Sequence, residues 1–308
     1  MSGRSRGGDT THLRVNRRLW DRVARSYERS HERSLRRVPA ESWGLYRISE
    51  RRLELLGPVR GRRLLELGCG AALWSASLAR RGARVVAFDF SAARLRQAST
   101  EVRKRAVPVR LLRANAERLP FRAASFDLAF CDWGALTFAD PRRTIPEAAR
   151  VLRNGGRLVF STANPLRSVV EDRGSRPIGR RLRWSYFDLG RIRYGNEVNF
   201  QLPFGGWVEL FRASGLTLER LVEPRAPVGT RSTYLTKAQR EWGRRWPLEA
   251  IWSLRKEPAP RRSATSRERR STRPPLRSPR ARTAAPRAPP PARASGLGSG
   301  SPAAGSPG

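Results

Sequence analysis

Between residues 63 and 161 short apolar runs alternate with amphipathic stretches. Runs at Arg63–Leu67, Arg84–Phe88, Pro108–Leu112, Phe126–Cys131 and Arg157–Ser161 have strand length. The stretches Leu73–Arg81, Ala92–Lys104 and Pro141–Leu152 carry the period of a helix with one apolar face. Strands interleaved with helices make βαβ units, and therefore an α/β fold with a mainly parallel sheet covered on both faces.

Upstream, Leu19, Val23 and Tyr27 recur at i, i+4 and i+8 with Trp20 beside them, which predicts a helix over about Leu13–Arg37, stopped by Pro39. A second helix is predicted over Ser42–Leu56, ending at Gly57-Pro58, where glycine caps and proline forbids continuation. Downstream, residues 164–203 break the alternation and gather Trp184, Tyr186, Phe187, Tyr194 and Phe200. A helix near Gly205–Ala213 and strands at Leu216–Val222 and Leu248–Leu254 follow. No repeat of 20 to 50 residues is visible.

The expected layout is a flexible start (1–12), an N-terminal helical cap (13–56), a sheet domain (57–256) with an insertion at 164–203, and a disordered tail (257–308). That tail is mostly Pro, Arg, Ala, Ser and Gly, too poor in apolar surface to offset the entropy of ordering.

Composition changes this picture little. The formal charge is +37 over 308 residues, carried by sixty arginines and three lysines, a bias that points to codon usage in a GC-rich genome. Eleven of those arginines lie in the tail and the rest are scattered. Such a field raises non-specific affinity for nucleic acid or anionic membrane whatever the protein does, so it selects no function. Cys69 and Cys131 are too few for a disulfide framework and are expected as reduced, packed thiols. With no apolar run long enough for a signal peptide or membrane span, the expectation is a cytoplasmic protein. No spaced His, Cys and carboxylate cluster suggests a metal.

The chemistry concentrates in LLELGCGAALWSASLARRGARVVAFDFS, residues 64–91. A buried strand runs into Gly68-Cys69-Gly70, a helix follows, and the next strand ends on Asp89. Glycines at that turn let the backbone approach a ligand, and the following helix N-terminus offers N–H groups to it. An acid at the tip of the second strand is where ribose hydroxyls are bound in such sheets. The third glycine of the dinucleotide fingerprint is missing, because Leu73 stands there, and Glu66 precedes the first glycine by two residues.

With these features the sequence resembles the class I S-adenosylmethionine-dependent methyltransferases, in particular the type 11-like domain. NAERLPFRAASFDLAFCDWGALTF (115–138) and EAARVLRNGGRLVFSTANP (147–165) resemble the family's segments around its third to fifth strands. The resemblance implies a Rossmann-like, mostly parallel seven-stranded sheet and S-adenosyl-L-methionine as cofactor. It implies that Glu66, Gly68, Cys69 and Gly70 shape the methionine and ribose pocket, that Asp89 takes the ribose hydroxyls, and that Phe90 lies against the adenine. Asn115, Ala116 and Glu117 would hold the adenine edge, with Asn115 standing where most relatives carry aspartate. Asp132, after the fourth strand, would meet the methionine end or the acceptor.

In this family acceptors are gripped by the N-terminal helices and the insertion, here Trp20, Tyr27, Trp43 and the aromatic group from Trp184 and Tyr186 to Phe200, which suit a flat or apolar small molecule. Methyl transfer is an in-line displacement in which alignment of two bound reactants contributes on the order of 7 to 11 kcal/mol. A base is needed only where the acceptor must lose a proton; Glu171, Asp172, Tyr186, Asp188 and Glu197 are candidates, since His12 and His31 are both N-terminal. A small-molecule methyltransferase is the preferred reading. An RNA- or protein-directed methyltransferase using the basic surface, and an NAD-dependent oxidoreductase, are the alternatives.

Overall fold

The computed structural model describes residues 11–36, 40–174 and 177–258. The expectations for the flexible start up to residue 10, for Pro39 as the helix stop and for nearly all of the 257–308 tail lie outside those residues.

The chain begins with α1 (Thr11–Arg36), followed by a small hairpin of β1 (Ser42–Trp43) and β2 (Ile48–Ser49) and a single turn, α2 (Glu50–Leu53). The alternating region gives β3 (Arg63–Leu67), α3 (Leu73–Arg80), β4 (Arg84–Asp89), α4 (Ala92–Lys104), β5 (Val109–Arg113) and β6 (Phe126–Asp132). Next come α5 (Ala135–Phe138), α6 (Pro141–Val151) and β7 (Leu152–Ala163). The insertion holds α7 (Pro165–Val170) and the hairpin β8 (Arg191–Tyr194) and β9 (Glu197–Phe200). The domain closes with α8 (Phe204–Ala213), β10 (Leu216–Val222), α9 (Lys237–Trp242) and β11 (Glu249–Lys256).

Seven strands form one sheet in the order β10-β11-β7-β6-β3-β4-β5. Strands β3 to β7 pair in parallel, whereas β11 runs antiparallel to both β7 and β10. The order reverses at β3, which lies between β4 and β6, and the crevice beyond the carboxyl ends at such a reversal is where open α/β sheets bind ligands. The helices are started by local chemistry. Ser91 caps α4 by accepting from Arg94 N–H, Asp140 caps α6 ahead of Pro141, and Asn164 caps α7 ahead of Pro165.

Both faces of the sheet are packed, as the buried strand pattern requires. On one, Phe160, Trp207, Phe211 and Trp252 form an aromatic core with ring centroids 5.3 to 6.2 Å apart. On the other, Trp43, Leu56, Leu64, Trp74, Phe130 and Ile251 pack together.

The helix expected over Ser42–Leu56 is not formed. Gly44 (φ +69°) and Arg47 (φ +55°) turn the chain back into a hairpin, and the backbone amides of residues 44–46 point at two carboxylates from the sheet. Gly44 N–H donates to Asp132 Oδ1 (2.8 Å), Leu45 N–H to Glu249 Oε2 (2.6 Å) and Tyr46 N–H to Glu249 Oε1 (3.4 Å). Glu249 is fully buried, and its need for donors outweighs the helical bonds those amides would otherwise make. A Cβ at position 44 would overlap the Glu249 carboxylate, so glycine is required there.

Candidate functional site

A cavity of about 360 Å³ opens at the carboxyl ends of β3, β4 and β6, within the usual range for small-ligand pockets. Its floor is the glycine turn. Gly68 (φ +77°) and Gly70 (φ +53°) both sit in the left-handed region, and Gly68 and Cys69 N–H both donate to Phe88 O. A Cβ on Gly68 would lie 2.5 Å from the backbone nitrogen of Ala135, and one on Gly70 would lie 2.6 Å from Arg94 Nη2. The turn therefore needs glycine because backbone and guanidinium press against it as well as for any ligand.

Asp89, at the tip of β4, is nine-tenths buried and accepts from Gly70 N–H (3.0 Å) and Ser91 N–H (2.9 Å). Burial pushes its carboxyl above the usual range, while those amides and the Arg94 guanidinium pull the other way. Glu66 accepts from Ser75 Oγ, and burial raises its pKa to about 8. The Cys69 and Cys131 thiols are free and buried; burial lifts the latter to about 12, so neither is a thiolate near neutral pH. Asp132 holds Gly44 N–H and Ser161 Oγ (2.5 Å) with Arg47 Nη1 3.6 Å away, and burial raises its carboxyl too.

The structure brings Glu66, Gly68, Cys69, Gly70, Asp89, Phe90, Asn115, Ala116 and Asp132 to this one cavity, together with Trp20 and Tyr27 from α1. The amide oxygen of Asn115 also closes a turn onto Glu117 N–H (3.0 Å). Glu117 itself is elsewhere. Its Oε1 lies 2.5 Å from His12 Nε2 and accepts from Asp140 N–H, so the side chain fastens the start of α1 instead of lining the cavity. Trp184 and Tyr186 are not at the cavity either. Trp184 Nε1–H donates to Glu171 O beneath the Arg173 guanidinium, and Tyr186 OH accepts from Phe204 N–H. Of the insertion aromatics, Tyr186 and Tyr194 pack into a local core with Val169, Val170, Leu189 and Ile192, whereas Phe187 and Trp184 are exposed.

Helix α1 runs along the cavity with Leu13, Trp20, Tyr27, His31 and Leu35 on its inner side. Asn16 exchanges two bonds with the backbone of Val198 (2.7 and 2.8 Å) and donates to Phe138 O (2.9 Å); Asp21 accepts from Ser91 Oγ (2.6 Å). The cavity is also lined by Arg47, Arg94, Trp133, Arg167 and Tyr234, which no motif in the sequence singles out. Arg94 is buried with its guanidinium 5.8 Å from the Trp20 ring centroid and 5.2 Å from that of Tyr27. Arg167 pairs with Glu171 (2.8 Å) and lies 5.6 Å from the Trp133 ring centroid. Trp133 holds φ +51° and donates to Glu249 Oε2 (3.0 Å). On cavity-lining residues, the buried Trp20 Nε1, Thr137 Oγ1, Arg167 Nη1 and Asn199 Oδ1 have no partner among the described residues. Groups of this kind are satisfied by ordered water, an ion or a polar ligand.

Among the described residues, no group of His, Cys, Asp and Glu could hold a metal ion, and no helix is long and apolar enough to cross a membrane.

Residues 65–160 match the family model described as a methyltransferase domain. The chain is 36% identical over 151 residues to the demethylmenaquinone methyltransferase of Clavibacter sepedonicus, covering 47% of this chain and 57% of that protein. It is 36% identical over 124 residues to the ubiquinone biosynthesis O-methyltransferase of Hahella chejuensis, covering 39% and 52%. The chain thus spans about half the length of the curated relatives it matches. Among solved structures it is similar to an S-adenosylmethionine dependent methyltransferase from Mesorhizobium loti, at 23% identity and a TM-score of 0.55, covering 69% of this chain and all of that one. The fold is the Rossmann-like class I methyltransferase fold.

Proposed function

We propose that this chain, whose residues 65–160 form a methyltransferase domain, transfers the methyl group of S-adenosyl-L-methionine to a small, flat acceptor. The observation that carries the reading is the joined floor of the cavity. The Gly68-Cys69-Gly70 turn and the Asp89 carboxylate stand side by side at the reversal of strand order, under a cavity with unpartnered buried polar groups. This fits a ligand with a ribose at one end and polar groups at the other.

In this reading Asp89 takes the ribose hydroxyls, Phe90, Asn115 and Ala116 frame the adenine, and the glycine turn with Glu66 and Asp132 receives the methionine part. The cofactor supplies a methyl group already activated by its sulfonium. What the chain adds is alignment and exclusion of water. Trp20 and Tyr27 cover the cavity, Trp133 offers a flat apolar surface to an acceptor, and Arg167 offers Nη1–H to an acceptor oxygen. The guanidinium of Arg167 is already balanced by Glu171 and that of Arg47 lies beside Asp132, so the wall suits an uncharged acceptor. The quinone-related names of the curated relatives agree with an aromatic acceptor.

The test is calorimetry with S-adenosylhomocysteine, with NAD as the control. Micromolar binding of the first and none of the second is expected. Binding of NAD instead would remove the methyltransferase reading.

A further inference from the structure

Although His31 lies near the start of the chain, helix α1 carries its ring to the end of the cavity beyond Tyr27. There the imidazole is oriented on three sides. Its Nδ1 lies 2.9 Å from Thr233 Oγ1, its plane stacks on Tyr234 (centroids 4.3 Å apart, 21° between planes), and Tyr27 touches it at 4.5 Å. Three carboxylates of the cavity are already held, Asp132 by Gly44 N–H and Ser161, Glu66 by Ser75, and Asp89 by Gly70 and Ser91, and the fourth, Glu197, stands at the start of β9.

We propose that His31 is the general base of the reaction, its Nε2 accepting the proton of a phenolic or enolic hydroxyl on the acceptor. The inference rests on the methyltransferase reading of the same cavity. With Nδ1–H donating to Thr233 Oγ1, Nε2 presents a lone pair. The acceptor oxygen gives its proton to Nε2 and forms the new bond to carbon, the carbon–sulfur bond breaks with its electron pair staying on sulfur, and the imidazolium later releases the proton to water. Burial lowers the His31 pKa, so the ring is neutral near pH 7. The titratable and charged groups around it are Tyr27 on its own helix and Tyr234 on the facing segment, with Arg47 and Asp132 behind that tyrosine pair.

The chain has two histidines, so ¹⁵N spectra of histidine-labelled protein, with His31→Phe to assign the signals, read the tautomer directly. The neutral Nδ1–H form, titrating below the ordinary histidine range, is expected; an Nε2–H tautomer overturns the proposal. The second arm compares binding of 2-naphthol and 2-methoxynaphthalene to protein loaded with S-adenosylhomocysteine. One hydrogen bond from the free hydroxyl to Nε2 predicts that 2-naphthol binds about 2- to 10-fold tighter. That preference should vanish in His31→Phe, which keeps a ring against Tyr234. Absence of any preference, or its survival in His31→Phe, overturns the proposal. Calorimetry on the same samples separates the two readings, since failure to bind S-adenosylhomocysteine sinks the methyltransferase reading itself.

Discussion

Replacing Glu249 with glutamine should make the protein more stable at pH 8 and leave it nearly unchanged at pH 5. Glu249 is fully buried, and burial raises its pKa from 4.5 to about 7. As pH rises through 4.5 the unfolded chain releases this proton, while the folded chain keeps it until about 7. The unfolded state therefore binds fewer protons across that window, so native stability falls between pH 4.5 and 7 and is level above it. The interval corresponds to about 3 kcal/mol. A glutamine cannot ionise, yet its amide oxygen can still serve the Oε2 position, where Leu45 N–H (2.6 Å) and Trp133 Nε1–H (3.0 Å) donate. Its NH₂ then faces only the long 3.4 Å contact with Tyr46 N–H. Urea unfolding followed by circular dichroism at pH 5 and pH 8 should give matching stabilities at pH 5, within about 1 kcal/mol, the size of one net hydrogen bond. At pH 8 the variant should lead by up to about 3 kcal/mol. Parallel pH profiles for the two proteins, or a variant weaker at pH 8, would show that the fold does not raise the Glu249 pKa.

Asp89→Ala should weaken S-adenosylhomocysteine binding at least about tenfold, from charge-assisted bonds of about 1.5 to 3 kcal/mol each; calorimetry on the folded variant checks this, and unchanged affinity would falsify the assignment. Gly68→Ala must force a side chain into φ +77° against the Ala135 backbone, so a loss of at least about 1 to 2 kcal/mol in unfolding stability is expected, and a variant as stable as the wild type would mean the turn relaxes freely. Asn16→Ala removes both bonds to Val198 and the one to Phe138. It should raise amide hydrogen exchange in α1 while that of β3 and β6 stays unchanged; uniform protection in both proteins would show that Asn16 does not hold the helix down.

Where structure depends on local periodicity, the sequence was readable. The expected bounds of β3, α4 and β10 agree with the structure, and those of α3, β4, β5 and β6 shift by a residue or so at an end. The places of the glycine turn and Asp89 were likewise legible, because they follow from the ends of β3 and β4. The 42–56 segment was not, because the groups that decide its path, Asp132 and Glu249, lie 88 and 204 residues away from the amides they hold. The insertion aromatics misled for a related reason. Trp184 and Tyr186 have the composition of a binding surface, but they lie away from the cavity, with their polar atoms bonded to Glu171 O and Phe204 N–H. Arg94 and Arg167 were hidden among sixty arginines, and only burial distinguishes them from the solvated majority. His31 stands far from the sheet in sequence, whereas a helix of 26 residues spans roughly 39 Å and carries it to the cavity.

Because β11 runs against its neighbours, its first residue, Glu249, lies at the same edge as the last residues of the parallel strands, paired with Ala163. The turn at residues 44–46 thus waits for a side chain added 204 residues after Leu45. At a synthesis rate of about 5 to 20 residues per second, that delay is roughly 10 to 40 s. Until then Gly44 N–H and Arg47 have Asp132 as a partner, but the amides of Leu45 and Tyr46 have no carboxylate to donate to. A polypeptide interrupted before residue 249 therefore carries the glycine turn without the side chain that ties Leu45 and Tyr46 to Trp133.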